Sequence, residues 1–171
     1  ADTTGIEFYG WGLQIEKSPI ATSYIPTTTA SVTRAKDDIS LTSASSLIGQ
    51  TEGTLFIEVD WRLTSGVAQY LLDATDGTGS NRLLIDKTLT TPNQLRMVAV
   101  ADGGIKTIQG VDSSGFSDIQ KIAFAYKTDD FELYRNGSSI SSDTSGSLAA
   151  LATLTDIDIG QSFNSLQQAN M

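Results

Sequence analysis

The 171 residues include 39% hydrophobic and 18% charged side chains, which is typical of a globular protein with one well-formed core. Twenty acidic residues against eleven basic ones give a net charge of −9, which would repel nucleic acid phosphates. The chain has neither Cys nor His, which excludes disulfides, thiol and imidazole catalysis, and the usual zinc, copper or haem sites. Carboxylate chemistry, a hard-cation site or pure binding remain, and the apolar runs are too short for membrane insertion.

Residues 1–30 differ in character from the rest of the chain. They contain two of the three prolines and a concentration of aromatic side chains at Phe8, Tyr9, Trp11 and Tyr24. We predict an aromatic strand followed by an extended connector, with a module boundary near residue 30 and a second module over residues 31–171. So many aromatic rings would leave an apolar patch on a free tail, so we expect this module, another subunit or another copy to cover them.

The segment TLFIEVDWRL, residues 54–63, alternates between apolar and polar side chains. One face is apolar and carries Leu55, Ile57, Val59, Trp61 and Leu63. The other carries Phe56, Glu58, Asp60 and Arg62. Because successive side chains of a strand point to opposite sides, this pattern predicts a half-buried antiparallel strand with Trp61 in the core.

Further short segments with strand character follow, separated by Gly, Asp, Asn, Ser and Thr clusters. They are VAQYLLDA, NRLLIDKT, QLRMVAVA, IKTIQGV, KIAFAYK, FELYRNG and LTDIDIG. The segment SLAALATL, residues 147–154, is too short for more than a turn of helix within a loop. We therefore predict an all-β protein, an antiparallel two-sheet β-sandwich.

Two tight turns are predicted near the end of the chain. Residues 128–130 join KIAFAYK to FELYRNG, and Asn136-Gly137 is a strong signal for a second hairpin. The longer, glycine-containing segment ATDGTGSN, residues 74–81, predicts a loop at the rim of the sandwich.

In combination, four segments resemble a known family: ATSYIPTTTASVTRAKDDISL, GTLFIEVDWRL, KIAFAYKTDDFELYRNG and DIDIGQS. They are similar to modules of bacteriophage tail and tail-fibre proteins with a concanavalin A-like lectin/glucanase (laminin-G-like) fold. The resemblance implies that residues 1–30 end a preceding jelly-roll module, and that the sandwich lacks its last strand. It also implies a virion protein folded in the bacterial cytoplasm, with other tail or fibre subunits and host-surface polysaccharide as partners, and a homotrimer as one arrangement.

The acidic residues of the 54–63 strand raise the question of catalysis. Glu58 and Asp60 would lie about 6 to 7 Å apart on one face, close to the separation in a retaining glycosidase. Laminarinase-type enzymes with a similar fold have a Glu-x-Asp-x-Glu strand, whereas this chain has Arg62 at the third acidic position. Arginine cannot deliver a proton at neutral pH, so we expect no enzyme activity and interpret this face as solvated, with cross-strand ion pairs.

The same alternation places further polar side chains on faces that we expect to be turned to water: Arg82, Asp86, Lys121, Lys127, Glu132 and Tyr134. A polar surface with an exposed ring suits a sugar, which stacks on the ring and binds charged side chains. The candidate carbohydrate-binding residues are Glu58, Asp60, Arg62, Arg82 and Tyr134. An ordinary aromatic residue at a sheet edge is the alternative for Tyr134.

Asp73, Asp76 and Asn81 offer oxygen atoms around a glycine turn and form a candidate Ca²⁺ site. A metal-free Asp-Gly turn is the alternative, and no other cofactor is expected. The function that we expect is non-enzymatic carbohydrate binding in a phage tail or fibre. The alternatives are an assembly module without a ligand, and a glycoside hydrolase whose second carboxylate comes from a distant strand.

Overall fold

The computed structural model describes residues 5, 9–16, 23–33, 38–61, 68–88 and 94–163. The chain divides into two compact units, residues 1–37 and residues 38–171. Within the described residues, no helix is long and apolar enough to cross a membrane.

The second unit is built from two antiparallel sheets, and its described residues contain no helix. Its strands are β1 (Ile39–Leu41), β2 (Glu52–Asp60), β3 (Gln69–Thr75), β4 (Arg82–Lys87), β5 (Gln94–Ala101), β6 (Gly104–Asp112), β7 (Ile119–Lys127), β8 (Asp130–Arg135), β9 (Ser138–Asp143) and β10 (Asp156–Ile159). The six-stranded sheet has the order β1-β10-β3-β4-β5-β6, and the four-stranded sheet has the order β2-β7-β8-β9. The predicted all-β sandwich is confirmed.

The inward faces of both sheets form the main core. Its largest fully buried apolar side chains are Phe124, Phe131, Leu83, Ile85, Leu95, Met97, Ile122, Leu133 and Leu154. Strand β2 has the predicted orientation, since Leu55 and also Trp61, directly after the strand, are buried whereas Phe56 is 58% exposed. The Trp61 ring packs on the Phe116 ring, with the ring centroids 5.1 Å apart.

The predicted turns have the backbone angles that their residues favour. Asp129 has a φ of 57°, and Asn136 and Gly137 have φ angles of 49° and 83°. Positive φ at both central residues is the requirement of the two-residue hairpin turn. Asp102 and Gly103 make a similar turn between β5 and β6, with φ angles of 51° and 70°.

The sequence analysis did not predict strands β1 and β9, because neither shows alternating hydrophobicity. Strand β9 reads SSISSD and lies at an edge of its sheet, where few side chains need to be apolar. Its last residue, Asp143, accepts hydrogen bonds from Thr107 Oγ1 at 2.7 Å and Gln109 Nε2 at 3.3 Å, both on β6. These contacts join one edge of the four-stranded sheet to one edge of the six-stranded sheet.

Candidate functional site

The outer face of the four-stranded sheet carries three of the predicted site residues. We call it the four-stranded face: the outward side chains of β2, β7, β8 and β9. Glu58 and Asp60 lie on β2, and Tyr134 lies on β8, two strands away. Arg62 lies outside the described residues.

A single register row crosses the middle of the four-stranded face. Phe56 is paired with Ala123, Ala123 with Tyr134, and Tyr134 with Ser139. Neighbouring strands are about 4.8 Å apart, so the backbones of Phe56 and Tyr134 are separated by roughly 10 Å. Ala123 has only a methyl side chain, so the sheet surface is lower at Ala123 than at the two rings beside it in the row; we call this low part of the face the groove.

The next row extends this groove along the strands. Thr54 is paired with Ala125, Ala125 with Glu132, and Glu132 with Ser142. Ala123 and Ala125 are two residues apart on β7 and therefore point to the same side. The floor of the groove is thus made of two small apolar side chains, and its walls combine aromatic and polar groups.

Glu132 fixes the position of the Tyr134 hydroxyl. Its carboxylate accepts a hydrogen bond from Tyr134 Oη and another from the Ser139 hydroxyl. Both hydrogen bonds lower the pKa of Glu132, because both donors stabilise the carboxylate. The bond from Ser139 has the larger effect and the bond from Tyr134 the smaller. The same contact with Glu132 raises the pKa of the Tyr134 phenol. The groove therefore has a neutral phenol beside a charged carboxylate at neutral pH.

Glu58 is part of a cross-strand ion pair on the four-stranded face. Its Oε2 lies 3.8 Å from Lys121 Nζ, and both side chains are at least half exposed. Lys127 Nζ and Glu52 Oε2 form a similar pair at 3.5 Å. The predicted cross-strand ion pairs on a solvated sheet face are confirmed.

Arg82 lies on the other sheet, away from the rest of the predicted carbohydrate-binding set. It is 8% exposed, and its guanidinium donates to both carboxylate oxygens of the fully buried Asp73. The guanidinium is also 5.4 Å from the Tyr70 ring centre and 5.1 Å from that of Phe163. The prediction that Arg82 faces water was therefore wrong, because its charge is satisfied inside the protein.

The prediction of a water-facing Asp86 was wrong for the same reason. Asp86 is 5% exposed and accepts a hydrogen bond from Arg96 Nε at 2.9 Å. The two residues are direct cross-strand partners on β4 and β5. The hydrogen bond to Asp86 raises the pKa of Arg96. Alternation placed Arg82 and Asp86 correctly on the side opposite the main core, but it could not show that both are buried there in ion pairs.

Burial has a strong effect on Asp73. Desolvation raises the pKa of its carboxyl to about 6, and the attraction of Arg82 works in the opposite direction.

The outer face of the six-stranded sheet also holds a second apolar cluster, formed by Leu84, Val98 and Val100. Charged and apolar side chains of this face thus pack on one another, whereas Phe56, Glu58 and Lys121 on the four-stranded face are exposed.

The structure does not bring the candidate Ca²⁺ ligands to one point. Asp73 is bound to Arg82, while Asp76 Oδ2 accepts from Asn81 Nδ2 at 2.9 Å. Asn81 Oδ1 accepts from the backbone N–H groups of Asp102 and Ala152, each at 3.0 Å. The carboxylate and amide oxygen atoms of these three side chains thus accept hydrogen bonds from other groups of the protein. In the parts of the chain that the structure describes, no group of three or more Asp, Glu, His or Cys residues is arranged to hold a metal.

Asp76 is a turn residue. Partial burial would raise the pKa of its carboxyl, but hydrogen bonds from Thr78 and Asn81 outweigh it, and the pKa is lowered. The backbone N–H of Thr78 donates to Asp76 Oδ1 at 2.9 Å, which is an Asx turn.

Solved structures of carbohydrate-binding modules have a similar fold. The CBM40 module of the Ruminococcus gnavus IT-sialidase is 16% identical, with 78% of this chain and 83% of that chain covered and a TM-score of 0.56. The same module bound to α2,6 sialyllactose has a TM-score of 0.53 over the same coverage. Sheep galectin-11 in complex with glycerol is 15% identical, with 72% and 86% covered and a TM-score of 0.41.

The chain has the β-sandwich fold of the CBM40 module. At 16% identity the likeness to CBM40 establishes the fold alone. No protein-family model matches the sequence, and a search of curated proteins finds no match either.

Proposed function

We propose that this chain is a non-enzymatic carbohydrate-binding module of a bacteriophage tail or tail fibre, with host-surface polysaccharide as its ligand. The observation that carries the proposal is the groove on the four-stranded face, where the exposed Phe56 and the hydrogen-bonded Tyr134 flank Ala123. A pyranose ring has apolar C–H faces and a polar edge, so it suits aromatic walls with a few polar groups beside them.

The polar groups at the groove are suited to sugar hydroxyls. The carboxylates of Glu132 and Glu58 can accept hydrogen bonds from hydroxyl groups, and the ammonium of Lys121 can donate them. The long axis of the groove follows β7, on which Ala123 and Ala125 are consecutive outward residues. A linear polysaccharide chain could therefore lie along the strand and contact both aromatic walls.

The fold likeness to CBM40 modules, one of them bound to sialyllactose, supports a carbohydrate ligand in general. The tail assignment, the action at the virion surface and the origin in the bacterial cytoplasm rest on the sequence resemblance. The absence of cysteine is compatible with folding in a reducing compartment.

The arrangement of the acids supports binding rather than hydrolysis. Glycoside hydrolysis requires one protonated and one ionised carboxyl group on either side of an accessible bond. Among the residues that the structure describes, the carboxyl groups whose pKa is raised are those of Asp73 and Asp158, and both are buried on the six-stranded sheet. Glu58, on the open face, is held by Lys121.

A binding assay with matched variants tests the proposal. Purified protein is screened on an array of bacterial surface polysaccharides, and the affinity for each hit is measured by calorimetry. Phe56→Ala should weaken binding about tenfold, which corresponds to roughly 1.4 kcal/mol. Ile105→Ala is the control, because Ile105 is 62% exposed but lies on the six-stranded sheet. Equal losses in both variants would contradict a site at the groove.

Two other outcomes would replace the proposal. Release of reducing sugar that disappears in Glu58→Gln would identify an enzyme. An absence of binding to any polysaccharide, in a protein with an intact fold, would favour an assembly module without a ligand.

A further inference from the structure

The four-stranded face is acidic. Among the residues that the structure describes, its outward side chains include five carboxylates and two ammonium groups, which leaves this face with more negative than positive charge. They are Glu52, Glu58, Asp60, Asp130 and Glu132 against Lys121 and Lys127. The chain as a whole carries −9. A ligand with acidic groups is therefore repelled from this face.

Glu132 has no cationic partner among the described residues. Its direct partner on β7 is Ala125, so Lys127, two residues further along β7, is its diagonal neighbour. The Lys127 ammonium is directed to β2 instead, where Nζ lies 3.5 Å from Glu52 Oε2. The negative charge of Glu132 is thus not balanced by an ion pair.

The carboxylate of Glu132 is also fixed in position and has room for further donors. It accepts hydrogen bonds from the hydroxyl groups of Tyr134 and Ser139, which are neutral and leave its charge in place. A carboxylate offers about four lone-pair positions, so about two stay open to a ligand. Because Ala125 lies next to Glu132 in its row, this anionic acceptor stands directly beside the floor of the groove.

An ammonium group on a sugar ring is the chemical complement of this carboxylate, since it combines a positive charge with three N–H donors. We propose that the groove selects polysaccharides of hexosamine units with free amino groups, and that the ammonium of one unit binds Glu132. The inference rests on the proposed carbohydrate-binding function and names the class of its ligand. An N-acetylated unit is neutral and lacks the ion pair, and an acidic unit is repelled.

Titration calorimetry with two oligosaccharides of the same backbone tests this preference. The probes are the β1,4-linked hexamers of glucosamine and of N-acetylglucosamine, at about pH 6, where the amino groups are protonated. Glu132 is ionised there because its pKa is lowered. The glucosamine hexamer should bind about fivefold more tightly, as expected for a surface ion pair. The preference should shrink at high salt, and an oligogalacturonate should bind more weakly than either hexamer.

Two variants with the same change of charge separate Glu132 from the general acidity of the protein. Glu132→Gln should abolish the preference for the glucosamine hexamer. Asp102→Asn is the control and should retain it, because Asp102 is an exposed turn residue between β5 and β6 of the other sheet. Thermal denaturation of both variants verifies that each is folded.

Equal affinities of the wild type for the two hexamers would overturn the inference. An equal loss of preference in both variants would overturn it as well, since the attraction would then be to the net charge of the chain. If neither hexamer binds but another polysaccharide does, the carbohydrate-binding function stands and this inference falls. Binding of no polysaccharide at all contradicts both.

Discussion

Phe56 and Tyr134 stand two strands apart in one register row of the four-stranded sheet, with Ala123 between them. A larger side chain at position 123 would fill the space between the two rings. Strand register sets this separation, so the two residues share one row of the sheet although they are far apart in the sequence.

The ring of Tyr134, rather than its hydroxyl, should make the main contact with a sugar. The hydroxyl already donates a hydrogen bond to Glu132, which leaves the face of the ring for stacking. Tyr134→Phe keeps the ring and should change the dissociation constant by less than about threefold. Tyr134→Ala removes the ring and should raise the dissociation constant about tenfold, which corresponds to the loss of roughly 1.4 kcal/mol of binding free energy. Titration calorimetry with the best polysaccharide measures both values. Equal losses in the two variants would assign the contact to the hydroxyl instead.

Trp61→Ala should strongly destabilise the sandwich. Trp61 is 6% exposed and packs on Phe116, and the removal of a large buried aromatic side chain typically costs about 3 to 5 kcal/mol. Urea denaturation measures this cost. Phe56→Ala, on strand β2 just before Trp61, is the control and should change stability by less than about 0.5 kcal/mol, because Phe56 faces water. A larger effect at Phe56 than at Trp61 would mean that the faces of β2 are inverted.

Gly53→Ala should destabilise the fold by steric conflict. A Cβ atom at Gly53 would lie 2.6 Å from Tyr126 Oη. That hydroxyl is fixed by a 2.7 Å hydrogen bond to the carbonyl oxygen of Gly49, so it cannot move freely. We expect a loss of about 1 to 3 kcal/mol in the free energy of unfolding, as for an overpacked core. Gly115→Ala is the control, because a Cβ atom there meets nothing within 4 Å.

The buried Asp73 should make stability depend on pH. Its pKa is about 6 in the folded protein against an ordinary value of 3.8, so between these values the folded chain keeps a proton that the unfolded chain has lost. The stabilisation that this carboxyl group contributes to the fold is therefore fully present below about pH 4 and is lost as the pH rises through 6. The difference between wild type and Asp73→Asn should fall by on the order of 3 kcal/mol from pH 4 to pH 7.

Chemical denaturation at several pH values measures this difference. Asp102→Asn is the control, since Asp102 is an exposed turn residue with a positive φ that asparagine tolerates. A difference between wild type and Asp73→Asn that grows with pH would mean that the ion pair with Arg82 outweighs the desolvation of Asp73.

The sequence by itself determined the class of fold and the faces of its central strands. The alternation in residues 54–63 correctly separated the buried Trp61 from the exposed Phe56, because the side-chain period of a strand is fixed by local geometry. The Asn136-Gly137 turn was equally local, since it depends on backbone angles that few residues adopt. The cross-strand ion pair between Glu58 and Lys121 followed from the expected charge pattern of a solvated face.

Only the tertiary structure decided which polar side chains are enclosed by the protein and which lie on an outer sheet face. Arg82 and Tyr134 have similar positions in the pattern of alternation, yet Arg82 is closed off by Asp73 and Phe163 whereas Tyr134 borders an open groove. The distinction depends on partners that are distant in the sequence: the Phe163 ring that covers Arg82 is 81 positions further along the chain. Alternation assigns a side chain to one side of a sheet, but strand order and register determine what else lies on that side.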